Sequence, residues 1–152
     1  TGRPCVPGKD KDRFRSKYLD IPNAPLYPFG YGLSYTRFSV SKIALDKECM
    51  TRDESIRAEV KVKNIGERKG TETIQFYIRD VAASVVRPVK ELKGFCKITL
   101  EPGEEQTVSF TIDDSKLQFL TESGRWESEA GKFEVFAGTD SSTVNCAEFK
   151  LN

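Results

Sequence analysis

An antiparallel β-sandwich of about seven strands is what this 152-residue sequence predicts, and three observations carry that prediction. Apolar and polar residues alternate in several runs of five to eight residues, the period of strands with one face on a core and one in water. Turn signals separate those runs, among them Glu101-Pro102-Gly103-Glu104, where proline presets the first central residue of a type II turn and glycine accepts the positive φ of the second. No stretch holds the 3.6-residue period over a long helix.

Residues 1–25 are rich in Pro, Gly, Lys, Arg and Asp, with Phe14, Tyr18, Leu19 and Ile21 isolated among them, and follow neither regular period. Two readings stand for this arm: a flexible linker, or a strap anchored on a neighbouring body through its apolar residues. Leu26 to Phe38, LYPFGYGLSYTRF, places Tyr27, Phe29, Tyr31, Tyr35 and Phe38 among Pro28, Gly30, Gly32 and Ser34. Pro28 restricts Tyr27 to extended conformations and the glycines disfavour a helix, so an extended ribbon with a tight turn is expected. Phe38 and Val40 share one parity and Ile43 and Leu45 the other, which predicts a first strand bulged near Ser41 and Lys42. Ile56, Ala58, Val60 and Val62 alternate with Arg57, Glu59, Lys61 and Lys63 in the plainest strand of the chain. Asn64 to Gly70 then turns.

Ile74, Phe76 and Ile78 make a third strand whose outer face carries Tyr77, so cover on both sides is expected there. Asp80 to Lys93 loses the period and contains Pro88, which cannot donate to a central ladder; an edge or a long crossover loop is predicted. Phe95, Ile98 and Leu100 resume the sheet, and Val108, Phe110 and Ile112 follow the type II turn. Leu117, Phe119 and Leu120 lead to a turn at Glu122 to Arg125 and the sole Trp126, expected in core or hairpin packing. Phe133, Val135 and Ala137 form another strand, and Val144, Cys146, Phe149 and Leu151 the last, with a bulge suggested by their parity shift. The expected division is an extended linker over 1–37 and a sandwich over 38–152.

Composition removes many functions. With 24 basic and 23 acidic residues, no global field draws the chain to nucleic acid or an anionic membrane. No run approaches the ~18 apolar residues of a membrane span, and the opening TGRPCVPGKDKDR has no apolar signal core. The absence of histidine removes the commonest general base and the most frequent metal ligand. Cys5, Cys49, Cys96 and Cys146 include no CxxC pair, so no metal or cofactor site is expected; Cys146 lies in an alternating run and should be buried as a small hydrophobe.

Three motifs, LYPFGYGLSYT, then RPVKELKGF at Arg87 to Phe95, then LEPGE at Leu100 to Glu104, resemble the C-terminal region of glycoside hydrolase family 3, and TGRP and KYLDI extend the likeness toward Thr1. Cys5 to Arg13 departs from it. The resemblance implies an immunoglobulin/fibronectin type III-like sandwich with its entry linker, belonging to a β-glucosidase or β-xylosidase-like parent in the periplasm or outside the cell. It also implies that the catalytic aspartate and acid/base residue lie in domains upstream of Thr1, so no catalytic residue carries over. Glycosidases use two carboxylates roughly 5–9 Å apart. Here Glu59 and Glu134 alternate outward on strands, and Asp53, Glu54, Asp113 and Asp114 sit near turns.

Two functions remain open at this point. One is a non-catalytic accessory domain whose partner is the catalytic body of the same polypeptide, with Tyr27, Phe29, Tyr31, Tyr35, Arg87, Lys90 and Glu91 as interdomain docking residues. The other is an independent carbohydrate- or protein-binding module, for which the ribbon rings or Trp126 would be a sugar platform. Packing within the domain is the plainer role for the rings, and a solvated loop with weak ion pairs the plainer role for Arg87, Lys90 and Glu91. An exposed ribbon would also promote self-association.

Overall fold

The computed structural model describes residues 23–152; the arm with Cys5, Phe14, Tyr18, Leu19 and Ile21 lies outside them. In chain order the elements are β1 (Phe38–Val40), β2 (Ala44–Leu45), β3 (Cys49–Met50), β4 (Ile56–Asn64), β5 (Gly70–Asp80), β6 (Glu91–Leu100) and β7 (Glu105–Ile112). A single helical turn α1 (Asp114–Leu117) follows, then β8 (Phe119–Leu120), β9 (Trp126–Glu127), β10 (Gly131–Gly138) and β11 (Cys146–Leu151). β1 and β2 pair along one side of β4 and β7 along the other. The second sheet runs β3-β11-β10-β5-β6, antiparallel except for the β3–β11 pair, and β8–β9 form a separate hairpin. This is the expected antiparallel sandwich.

The alternation in β4 explains the layering. Ile56, Ala58, Val60 and Val62 are buried against Ile74, Phe76 and Ile78 of β5, Phe133 and Val135 of β10, and Phe149 and Leu151 of β11. Phe76 stacks on Phe110 with ring centroids 5.0 Å apart, and Phe133 on Phe149 at 5.5 Å. The break near Ser41 is present as a departure from the ladder between β1 and β2. Asn145 holds it, donating from Nδ2 to Ser41 O at 2.8 Å and accepting Ile43 N–H at Oδ1 at 3.1 Å. The type II turn is present too, with Gly103 at φ +80° and Glu104 N–H donating to Glu101 O.

Two expectations need correction. Cys146 is exposed, because β11 begins at that residue and turns Ala147, Phe149 and Leu151 inward, leaving Cys146, Glu148 and Lys150 outside. The alternation from Cys146 onward is regular, so no bulge is needed, and Val144 is exposed ahead of the strand. Of the two placements expected for Trp126, core or hairpin, the structure shows the second: it is 67% exposed on β9, opposite Leu120 in the β8–β9 hairpin. Cys49, Cys96 and Cys146 are free thiols.

Asn64, fully buried at the end of β4, uses all four hydrogen-bonding positions of its amide. Nδ2 donates to Arg68 O and Leu100 O, and Oδ1 accepts from Thr36 Oγ1 at 2.7 Å and Gly66 N–H at 3.1 Å. It joins the end of the ribbon to the β4–β5 loop and to β6. Leaving such groups unpaired costs on the order of 1–3 kcal/mol each, so Asn64→Ala should lower unfolding free energy by about 3 kcal/mol in urea titration; a loss below about 1 kcal/mol would contradict the assignment.

Candidate docking surface

The ribbon is built on a four-residue turn. Tyr31 N–H donates to Pro28 O at 3.1 Å, and Gly30, at the third position, has φ +81°, a left-handed value that favours glycine. The side chain of Gln75 fixes this turn to the outer face of the five-stranded sheet. Its Nε2 donates to Gly30 O at 3.1 Å and to Thr139 O at 2.6 Å, while its Oε1 accepts the Tyr77 hydroxyl. Burial pushes the Tyr77 phenol up, which keeps that hydroxyl a donor. A second strut runs from Ser141 N–H to Phe29 O at 2.9 Å. A Cβ on Gly30 would lie 2.1 Å from Gln75 Oε1, so the backbone approaches as closely as it does only because the side chain is absent.

Farther along, Thr36 fits against Gly66 and Gly70, donates to Asn64, and is followed by Ile65 N–H donating to Arg37 O at 2.8 Å. The backbone is therefore held at both ends while the rings face outward. Tyr27, Phe29 and Tyr31 are 65%, 67% and 45% exposed, and Tyr35 is almost wholly so, with Leu26 and Leu33 beside them in sequence. Tyr27 and Tyr31 lie 5.1 Å apart between centroids.

Arg87, Lys90 and Glu91 sit differently. Arg87 is paired with Glu91 and its guanidinium carbon lies 4.4 Å above the Phe119 ring; Lys93 adds a 3.4 Å contact to Glu91. Lys90 donates to Ser141 O and Thr143 O and stands 4.2 Å above the Phe136 ring, and burial pushes its ammonium down. These polar atoms hold the crossover loop, residues 81–90, onto its own domain. The turn at 139–143 is common ground: it accepts Lys90 and Gln75 and donates to Phe29, so it ties the crossover loop to the ribbon. Gln75, Thr139 and Ser141 were not among the residues expected at this surface. The available signal was a glutamine between isoleucine and phenylalanine on a strand.

Five of the carboxylates weighed for catalysis, Glu54, Glu59, Asp113, Asp114 and Glu134, have structural partners. Glu59 lies 3.6 Å from Arg57, Glu134 3.2 Å from Arg79, and Glu54 accepts Thr51 N–H, an interaction that holds its carboxyl below the usual range. Asp113 accepts Ser115, and Asp114 accepts Ser128 and Gln118. Asp80 is the exception in sign: burial pushes its carboxyl up, beside a pocket of about 280 Å³ that Arg79 and Arg87 also line.

Residues 72–141 match the family model described as a fibronectin type III-like domain. A periplasmic β-glucosidase of Salmonella typhimurium is 52% identical over 99% of this chain, which covers 20% of that protein. The crystal structure of a β-glucosidase from Listeria innocua superposes over 99% of this chain with a TM-score of 0.90 and 44% identity, again covering 21% of the longer chain. The chain carries a fibronectin type III-like domain and is homologous to a small part of longer β-glucosidases. A putative β-xylosidase of Formosa agariphila is 44% identical over 91% of the chain. This fibronectin type III-like domain spans about a fifth of the length of the curated relatives it matches.

Two outcomes follow for the domain. Gly30→Ala should free the turn from Gln75 and raise exchange of the Tyr31 and Ser141 amides by about tenfold or more, with core strands unaffected; unchanged protection would contradict the clamp. Asp80 has a raised folded pKa, so its contribution is fully present below its unfolded pKa and is lost as pH rises through the folded one. Asp80→Asn should therefore leave the domain at least as stable as wild type at pH 7 in thermal melts, and a lower melting point would overturn that reading.

Proposed function

We propose that this chain is the non-catalytic C-terminal accessory domain of a family 3 glycoside hydrolase, and that its aromatic ribbon docks on the catalytic body of the same polypeptide. The observation that carries the reading is the ribbon itself: a backbone fixed by Gln75, Ser141 and Asn64 that displays Tyr27, Phe29, Tyr31 and Tyr35 outward. Ordering a loop so that large apolar rings face water is unfavourable in isolation and fits a surface that is covered elsewhere. The relatives, each about five times longer, supply a body to cover it.

In this reading residues 1–37 form the linker and 38–152 the sandwich. Arg87, Lys90 and Glu91 contribute by holding the crossover loop and the 139–143 turn in place beneath the ribbon. The parent is a β-glucosidase or β-xylosidase acting on terminal β-linked sugars, in the periplasm or secreted, as the names of the relatives suggest. The exposed Trp126 favours a second reading, a carbohydrate-binding module.

The isolated chain should not hydrolyse aryl β-glucosides or β-xylosides; turnover that survives repurification would refute the non-catalytic role. Burying an aromatic ring contributes about 1.5–3 kcal/mol, so Tyr31→Ala in the full-length parent should loosen the interdomain contact, seen as separate melting transitions. Calorimetric titration of the isolated chain with cello- and xylo-oligosaccharides should give no saturable heat. Heat abolished by Tyr31→Ala or Trp126→Ala would favour the binding module instead.

A further inference from the structure

The outer face of the five-stranded sheet carries more exposed apolar surface than the ribbon alone. Phe95, 66% exposed, lies directly opposite Gln75 in the β5–β6 ladder, and Leu92 lies opposite Tyr77. Directly opposed side chains on one face stand about 5 Å apart at Cβ, so Phe95 adjoins the amide on which Gly30 rests. Residues 92 and 95 have an odd spacing and would point to opposite faces of a regular strand. A bulge between Phe76 and Tyr77, with Lys93 as the extra residue on β6, brings both to the outer face. It also leaves Gly94 inward, where any Cβ would lie 2.5 Å from the Phe110 ring that closes the core on this side.

The opposite face of the sandwich is different in kind. β4 and β7 present Arg57, Glu59, Lys61, Lys63, Thr107, Ser109 and Thr111 outward. In the accessory-domain reading the catalytic body precedes the ribbon, and the ribbon turn is fixed to Gln75, beside Phe95 and away from that charged face.

Resting on the accessory-domain reading, we infer that the catalytic body docks on a footprint that continues from the ribbon across the β5–β6 edge, with Phe95 and Leu92, re-aimed by the Lys93 bulge, as its second anchor. The occupant is that body alone. Its contacting surface is apolar, because β6 offers two hydrocarbon side chains there and Lys93 is already engaged with Glu91.

Hydroxyl-radical footprinting of the full-length wild-type parent tests this without any substitution. After correction for intrinsic ring reactivity, Phe95 should be oxidised at least about fivefold more slowly than Trp126, although the two are equally exposed in the domain. Protection of Tyr27, Phe29 and Tyr31 with free oxidation of Phe95 would overturn this inference and leave ribbon docking intact. Free oxidation of all four rings would overturn both. Phe95 protection that fades on dilution would assign the face to a second copy of the chain and overturn the inference too. As a second arm, Phe95→Asp in the full-length parent should split its melting into two transitions while Thr111→Asp, on the opposite face, does not. Identical single transitions for both variants would contradict the second anchor.

Discussion

The Gln75 side-chain amide is the constraint on which this surface depends. It sits on the outer face of β5, nearly buried, and its hydrogens and oxygen reach the ribbon turn, the 139–143 turn and the Tyr77 hydroxyl, adding to the direct Ser141–Phe29 bond between the first two. A buried amide with unmet partners is costly, so each of those segments is held where it satisfies Gln75. Gly30 completes the arrangement by allowing the backbone to approach the amide. Asn64 plays the matching part at the far end of the ribbon, on the other sheet. Two primary amides, one per sheet, thus hold an extended segment that has little apolar contact of its own.

This arrangement separates what the core does from what the surface does. Packing of Phe76, Phe133 and Phe149 between the sheets supplies the hydrophobic stabilisation, and nothing in it requires a ribbon. The polar network around Gln75, Lys90 and Asn64 positions a surface. A flexible segment carrying four aromatic rings would have to be ordered on docking, at a cost in conformational entropy; one already ordered by the domain avoids most of it. The crossover loop fits the same scheme, since Lys90 steadies the 139–143 turn that receives Gln75 and meets Phe29.

Much of the fold was legible in the sequence because alternation at period two is a direct consequence of one-sided burial; β4 and β7 show it without interruption, and β5 and β10 show it except at the buried Tyr77 and Phe136. Tyr77 on a polar-parity position correctly indicated a covered outer face. Three features escaped for physical reasons. Cys146 has no strong preference for either environment, so its parity could not place the start of β11, just ahead of which the Asn145 side chain bonds Ser41 and Ile43. Trp126 belongs to a two-residue strand, too short to show any period. Leu92 and Phe95 share a face only because of a bulge, which leaves no periodic trace. Among the site residues the ribbon aromatics were visible as a composition, whereas Gln75 was not, because its partners Gly30 and Thr139 lie 45 and 64 residues away. The roles of Arg87, Lys90 and Glu91 were legible as charge but not as direction.

The domain itself orders the ribbon, ahead of any partner. Backbone order parameters from nitrogen-15 relaxation on the isolated chain measure this most directly. Values of about 0.85 are expected for Gly30, Tyr31 and Ser141, equal to those of the β5 amides, with a fall in all three in Gln75→Leu; values below about 0.6 in the wild-type chain would show a ribbon ordered only by its partner and would contradict this.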